Sequence, residues 1–373
     1  MDFVKISGEV TDITIPEGEC VKIEEAETER VLWEKGLGLT PEWKIYDAQG
    51  FSYTEGYSKI TTIHNVNDIN GEEHALSLCM TKTGANMSIL SFGPELTKKF
   101  GYYSCPSSSL SEALTERVPL AVSDDYRYGA AVLRMYKGSS AYVLGRENNN
   151  GYYYGISENL RLSINSPSDE SKVKIINSPE REEYLITGIS GGAFTVPKNF
   201  TSSTQIAYSG KNAVNGIWVS EFGKYFASTN MTGASRVLNS DDGTNWQEFK
   251  FSITKMKGIL NFCWLDNLKK LCAVSDTTAK IAISSDGETW ELKDVPFSNA
   301  LCCAYSPEQK LFCVLDKSCA YITRDLTKWI EAPLPDNMTV NFKEVIHGVD
   351  GIFACHEYLS DKLCILTTKY PIR

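Results

Sequence analysis

The sequence predicts an all-β protein built on a repeated unit, and three observations carry that expectation. The first is a phrase written three times in the C-terminal half: Ser240-Asp241-Asp242-Gly243-Thr244-Asn245-Trp246, Ser284-Ser285-Asp286-Gly287-Glu288-Thr289-Trp290 and Thr323-Arg324-Asp325-Leu326-Thr327-Lys328-Trp329. Its tryptophans recur every 44 and 39 residues, the length of one four-stranded propeller blade. The second is a hairpin signature, apolar strand, polar turn and apolar strand, ahead of each phrase. The third is a scarcity of helical periodicity, with only Leu110 to Glu116 reading as a short helix. The expected fold is a β-propeller of about seven blades, four of them clear in the C-terminal half, behind a small N-terminal β docking module.

Residues 1–45 are expected to form that module. Ile13-Thr14-Ile15-Pro16-Glu17-Gly18-Glu19-Cys20-Val21-Lys22-Ile23 and Val31-Leu32-Trp33 flank the charged run Glu24 to Arg30. Alternation gives a hairpin one apolar face, Ile13, Ile15, Val21, Ile23 and Trp33, and a hairpin of that size needs something to pack on. These five residues are the candidate docking set.

Residues 46–373 are expected to form the propeller, with diverged blades over 46–190 and clearer ones over 191–373. In the first part, Ala75 to Met80 with Ser88 to Phe92, and Tyr128 to Tyr136 with Ala141 to Leu144, read as hairpins. In the second part, Ile217-Trp218-Val219 returns as Tyr225-Phe226-Ala227, Cys263-Trp264-Leu265 as Leu271-Cys272-Ala273, Cys303-Ala304-Tyr305 as Leu311-Phe312-Cys313, and His347-Gly348-Val349 as Ile352-Phe353-Ala354. A third strand precedes each phrase and a fourth follows it. The last unit stops after Leu363 to Thr367, so an earlier segment is expected to complete it and close the ring.

The repeated phrase resembles the Asp box of BNR-type, sialidase-like propellers. The physical role of Ser240, Asp242, Gly243 and Trp246, of Ser284, Asp286, Gly287 and Trp290, and of Thr323, Asp325 and Trp329 is structural. The carboxylate accepts turn amides, the glycine takes a positive φ and the tryptophan packs between sheets. The "IPEG…VKI…VLW" arrangement from Ile15 to Trp33 resembles short N-terminal modules of bacteriophage tail and appendage proteins, where such a unit joins an appendage to the virion.

Composition sets limits. The chain has 373 residues, 42% hydrophobic and 23% charged, with a formal charge of −10, which opposes a nucleic-acid partner held through phosphates. No basic-then-apolar leader opens the sequence and no apolar run reaches the roughly 18 residues of a membrane span. The 11 cysteines include no CxxC, and most lie in apolar strand-like runs, so they are expected as free buried thiols made in a reducing cytoplasm. His64, His74, His347 and His356 lack metal-ligand spacing, so no metal is expected.

Catalysis is not expected. The arginine cluster that the sialidase resemblance implies is missing: the clear blades hold only Arg236 and Arg324 before Arg373, and Arg324 lies inside a box. No phosphate loop, nucleophile elbow or HExxH occurs, and no cofactor is expected. The reading that results is a non-enzymatic bacteriophage virion structural protein, a tail, baseplate or capsid-decorating appendage made in the host cytoplasm. Its partners are other virion proteins, through the N-terminal module, and host cell-surface glycan. A sialidase-like hydrolase and a cytosolic scaffold propeller are the alternatives.

Overall fold

The structure is a computed structural model that describes residues 39–47, the strands between 57 and 164, and residues 172–368 apart from 191, 200–208, 230–232, 349–350 and 359. Between 57 and 164 the description is of backbone, with the side chains of Ile60 and Ile63 alone. The docking set Ile13, Ile15, Val21, Ile23 and Trp33, and the helix expected over 110–116, lie outside the described residues.

Every strand pairing is antiparallel between neighbours in the chain, with one exception. β1 is Glu42–Asp47. The first full sheet is β2 (Tyr57–Asn67), β3 (Glu73–Lys82), β4 (Met87–Phe92) and β5 (Lys99–Ser104). The next is β6 (Arg117–Asp124), β7 (Tyr128–Met135), β8 (Ala141–Asn148) and β9 (Tyr154–Ile164). A three-stranded sheet follows, β10 (Lys174–Ser178), β11 (Glu183–Thr187) and β12 (Phe194–Pro197).

Three regular sheets come after it. They are β13 (Ala213–Val219), β14 (Lys224–Thr229), β15 (Arg236–Ser240) and β16 (Gln247–Lys250); β17 (Leu260–Leu265), β18 (Lys270–Ser275), β19 (Lys280–Ser284) and β20 (Glu291–Asp294); and β21 (Cys302–Ser306), β22 (Leu311–Leu315), β23 (Cys319–Thr323) and β24 (Ile330–Pro333). The last sheet has three consecutive strands, β25 (Phe342–Gly348), β26 (Ile352–Glu357) and β27 (Lys362–Thr367). The exception supplies its fourth: β1 pairs with β27, Glu42 opposite Thr367 and Asp47 opposite Lys362.

First strands neighbour first strands around a closed circuit, β2 beside β6 and β25, β6 beside β10, then β13, β17, β21 and β25 in turn. This is an all-β propeller. Of the roughly seven blades expected, five are built with described side chains, from β10 onward, and the sheets β2–β5 and β6–β9 are described by backbone.

Sheets packed on both faces explain the sequence pattern. β22 is buried at every position, because an interior strand has a neighbouring sheet on each side and reads as a continuous apolar run. β16, the outermost strand of its sheet, is exposed at every position. Clusters fill the gaps between sheets. Leu311, Cys313, Phe353, Cys355 and Leu366 lie in one, Cys272, Val274, Phe312 and Val314 in the next, and Phe226, Leu271 and Ala273 in a third. Each large side chain so buried contributes roughly 1.5–3 kcal/mol.

Two expected boundaries are moved by pairing. β1 begins at Glu42, so residues 42–45, expected in the N-terminal segment, pair within the propeller; Trp43 and Ile45 pack on the last sheet's core. The sheet β10–β12 spans residues 174–197 and so crosses the division set at 190. Hydrogen-bond ladders, which a sequence does not show, decide both points.

Candidate functional site

Antiparallel alternation gives the ring two different ends. Within each blade the first-to-second and third-to-fourth connections turn at one end, and the second-to-third and blade-to-blade connections lie at the other. The three repeated turns join β15 to β16, β19 to β20 and β23 to β24, so they sit at the hairpin end. The opposite end is the mouth.

The repeated turns share one hydrogen-bond scheme. Ser240 Oγ accepts the Gly243 N–H at 2.9 Å, and Asp242 Oδ1 accepts the Thr244 and Asn245 N–H groups at 2.9 and 2.7 Å. Ser284 Oγ accepts the Gly287 N–H at 2.8 Å, and Asp286 Oδ1 accepts those of Glu288 and Thr289 at 2.8 Å each. Thr323 Oγ1 accepts the Leu326 N–H at 3.0 Å, and Asp325 Oδ1 those of Thr327 and Lys328 at 2.8 and 2.9 Å. Burial opposes ionisation of Asp242, but the Asn245 and Thr244 donors outweigh it and hold the carboxyl far below the usual range. For Asp286 the Thr289 hydroxyl and amide, then the Glu288 amide, do the same.

Gly243 and Gly287 have φ of 72° and 75°, and Leu326 carries the same left-handed backbone at 61°. The tryptophans are half-buried. Trp246 donates its indole N–H to the Gly243 carbonyl at 3.0 Å. Trp290 meets Phe226 of the preceding blade edge-on at 6.5 Å, and Trp329 meets Phe297 at 5.2 Å. All eleven of these candidate residues therefore act locally, in turns and between sheets, at the end away from the mouth.

A second constellation at the hairpin end has the residue types of a sialidase nucleophile. Tyr225 donates to Glu183 Oε1 at 2.8 Å and accepts from Ser178 at 2.6 Å, while Arg181 pairs with Glu183 and lies over the Tyr225 ring. Tyr225 is 0% exposed, and burial pushes its phenol far above the usual range. Its chemistry is that of a neutral strut between two blades.

The mouth opens on a cavity of about 390 Å³ lined by the starts of β13, β17 and β25 and the ends of β18 and β26. Buried asparagines fix its wall: Asn215 Nδ2 donates to the Leu260 carbonyl at 3.1 Å, and Asn261 Nδ2 to that of Ala300 at 3.4 Å. Each stitches one first strand to the start of the next blade. Asp276 accepts the Ile259 N–H at 2.8 Å; burial raises its carboxyl above the ordinary value, against that bond and the charge of Lys172. Lys343 is 8% exposed, with its ammonium 5.3 Å from the Tyr358 ring centroid.

Next to Lys343 the wall is braced by the pairing of a buried His356 with a half-buried Glu344. Glu344 Oε1 accepts from His356 Nε2 at 2.8 Å and from the Ile63 N–H of the adjoining sheet at 2.7 Å. Burial opposes charge on Glu344, yet Lys343, His356 and the Ile63 amide together lower its carboxyl to about 2. Among the described residues no group of three or more His, Cys, Asp or Glu side chains could hold a metal ion.

The lining residues escaped the sequence reading, although one signal marks two of them. Asn215-Gly216-Ile217-Trp218 and Asn261-Phe262-Cys263-Trp264 occupy equivalent places in successive repeats, and the asparagine recurs because both make the same stitch. Lys172, Asp276, Lys343 and Tyr358 recur in no pattern.

No protein-family model matches the sequence, and no curated protein matches it. Solved structures do match. A streptogramin B lyase is similar at TM-score 0.57 and 11% identity, over 88% of this chain and 98% of that one. YCF48 bound to D1 peptide is similar at TM-score 0.58 and 15% identity, over 89% and 97%. The propeller domain of Myceliophteria thermophila Cps50 (Swd1) is similar at TM-score 0.53 and 10% identity, over 88% and 100%. At these identities the likeness is one of fold, and what this chain shares with them is the β-propeller.

Proposed function

We propose that the protein is a non-catalytic recognition propeller that binds its partner at the mouth. The observation that carries this reading is the mouth itself. Lys172, Lys343, Asp276, Glu357 and Tyr358 line one concave cavity whose wall is fixed by the Asn215 and Asn261 stitches. A preformed concave pocket lined mainly by polar and charged side chains on a rigid frame suits binding of a polar partner without a lid or a moving part.

In the narrower form of the proposal the chain is an Asp-box propeller of about seven blades, carried as a bacteriophage virion structural protein of the tail, baseplate or capsid surface. The mouth then recognises host-surface glycan or a virion subunit. The Asp-box reading is supported by the shared Ser/Thr–Asp hydrogen-bond scheme, and the blade number by seven sheets among the described residues. The virion reading is supported by the phrase from Ile15 to Trp33. Polarity agrees with it: β1 starts at the hairpin end, opposite Thr367, so residues joined to Glu42 enter there. A docked N-terminal module leaves the mouth facing outward.

Two variants test the parts separately. Deleting residues 1–38 keeps β1 and should abolish incorporation into particles while leaving the propeller folded. Lys343→Glu should leave incorporation intact and abolish binding to glycan arrays or virion subunits. Incorporation of the deleted chain would overturn the docking reading, and turnover of a glycoside panel would overturn the non-catalytic one.

A further inference from the structure

Alternation along β21 sends Cys302 and Cys303 to opposite faces of the sheet. Cys302 lies in the cluster shared with the last blade, whereas Cys303 packs against the cluster that holds Cys263 and Cys272 of the preceding blade. The cysteines whose side chains are described are free thiols, and among them Cys303 is the one that is not buried. β17 and β21 are neighbouring first strands, and Cys263 of the one and Cys303 of the other pack into the same cluster between the two sheets. The two side chains thus enter one gap from facing sheets, the placement from which a disulfide between them can close.

We propose that Cys263 and Cys303 form an oxidisable pair that takes a small-molecule disulfide, of the class of oxidised glutathione, and closes into a disulfide joining two blades. Cys303 reacts first because it reaches solvent. Its thiol gives up a proton and the sulfur attacks one sulfur of the oxidant, forming a mixed disulfide and expelling one glutathione thiolate. Cys263 then gives up its proton and attacks the Cys303 sulfur, expelling the second glutathione. Two protein thiols are oxidised, one disulfide oxidant is reduced to two thiols, and the protons end on the glutathiones.

Access makes the reaction selective. Cys272 stands directly opposite Cys263, and Cys355 directly opposite Cys364, but Cys272, Cys355 and Cys364 are at most 1% exposed and none can meet the oxidant first. The new bond would close a loop between adjacent blades and restrict the unfolded chain.

The test is to incubate the folded full chain with oxidised glutathione and map its peptides by mass spectrometry without reduction. The expected product is a Cys263–Cys303 linkage, reversed by dithiothreitol and unaffected by Cys355→Ser. Cys263→Ser should stop at one glutathione on Cys303, and Cys303→Ser should carry neither glutathione nor a linkage at Cys263. The proposal is overturned if the wild type keeps both thiols, accumulates the mixed disulfide, or links Cys303 to any other cysteine. Should Cys303→Ser fail to fold, the wild-type and Cys263→Ser products decide the matter alone.

Discussion

The carboxylate of Glu344 and the imidazole of His356, directly opposite on β25 and β26, meet at 2.8 Å with the histidine 0% exposed. The same carboxylate oxygen holds the Ile63 amide, so one half-buried carboxylate ties the closing blade to its neighbour. Glu344→Ala leaves both donors without an acceptor and should cost about 3–5 kcal/mol, read by denaturant unfolding. Glu344→Gln keeps an acceptor for Ile63 and should cost less. An equal loss in the two variants would show that charge carries the whole effect.

Acid should weaken the same clasp. The folded-state carboxyl at about 2 lies below its ordinary value of 4.5, so the folded form binds fewer protons than the unfolded one over that interval. Its stabilisation is complete above about pH 4.5 and is lost as pH falls toward 2. Wild type should therefore lose more stability than Glu344→Gln in an unfolding series between those pH values. Parallel curves would contradict the assignment.

Gly287 and Leu326 occupy the same place in successive repeats and predict opposite substitutions. A Cβ on Gly287 would lie 2.6 Å from Phe226 Cζ, at a φ of 75°, so Gly287→Ala combines a ring clash with left-handed strain and should cost on the order of 2 kcal/mol or more. Leu326→Gly relieves about 1 kcal/mol of strain. It also empties a side chain that is 4% exposed in the core shared with the preceding blade, at about 2–5 kcal/mol. The net effect should be destabilising, and a raised Tm would show that the third repeat merely tolerates its leucine.

Trp43 should behave as a closure residue. Its indole N–H reaches the Ala332 carbonyl of the preceding blade at 3.0 Å, and its ring stacks with Phe342 at 6.5 Å. Trp43→Ala should cost roughly 3–5 kcal/mol and expose the β1 and β27 amides to hydrogen exchange ahead of those in β18. Uniform exchange would argue that the ring opens elsewhere first.

Asn215 separates two requirements in one residue, a φ of 53° and the bond to Leu260. Asn215→Gly loses only the bond, whereas Asn215→Ala loses the bond and strains the backbone. The alanine variant should be the less stable by about 1 kcal/mol. Equal stabilities would mean that the strand relaxes to a negative φ.

The repeated turns were legible because their chemistry is local. Asp242 and Asp286 bond only to residues within three positions of themselves, so their role can be read from spacing. The clasp lay one step further away. Counting outward from the pairing of Gly348 with Ile352 places Glu344 opposite His356, and that register is not written in the sequence. The mouth was least legible, since Lys172, Asp276 and Lys343 come from three blades and share no repeat.

By itself the sequence determined the all-β class, the blade-length period and the turns that stitch third strands to fourth, because each depends on residues close in the chain. Only the tertiary structure decided that β1 completes the last blade, that Glu42 to Ile45 belong to the propeller, and which side chains meet in the mouth. Those features depend on strands far apart in sequence brought together by ring closure. Their register is set by packing and backbone hydrogen bonds rather than by any local pattern.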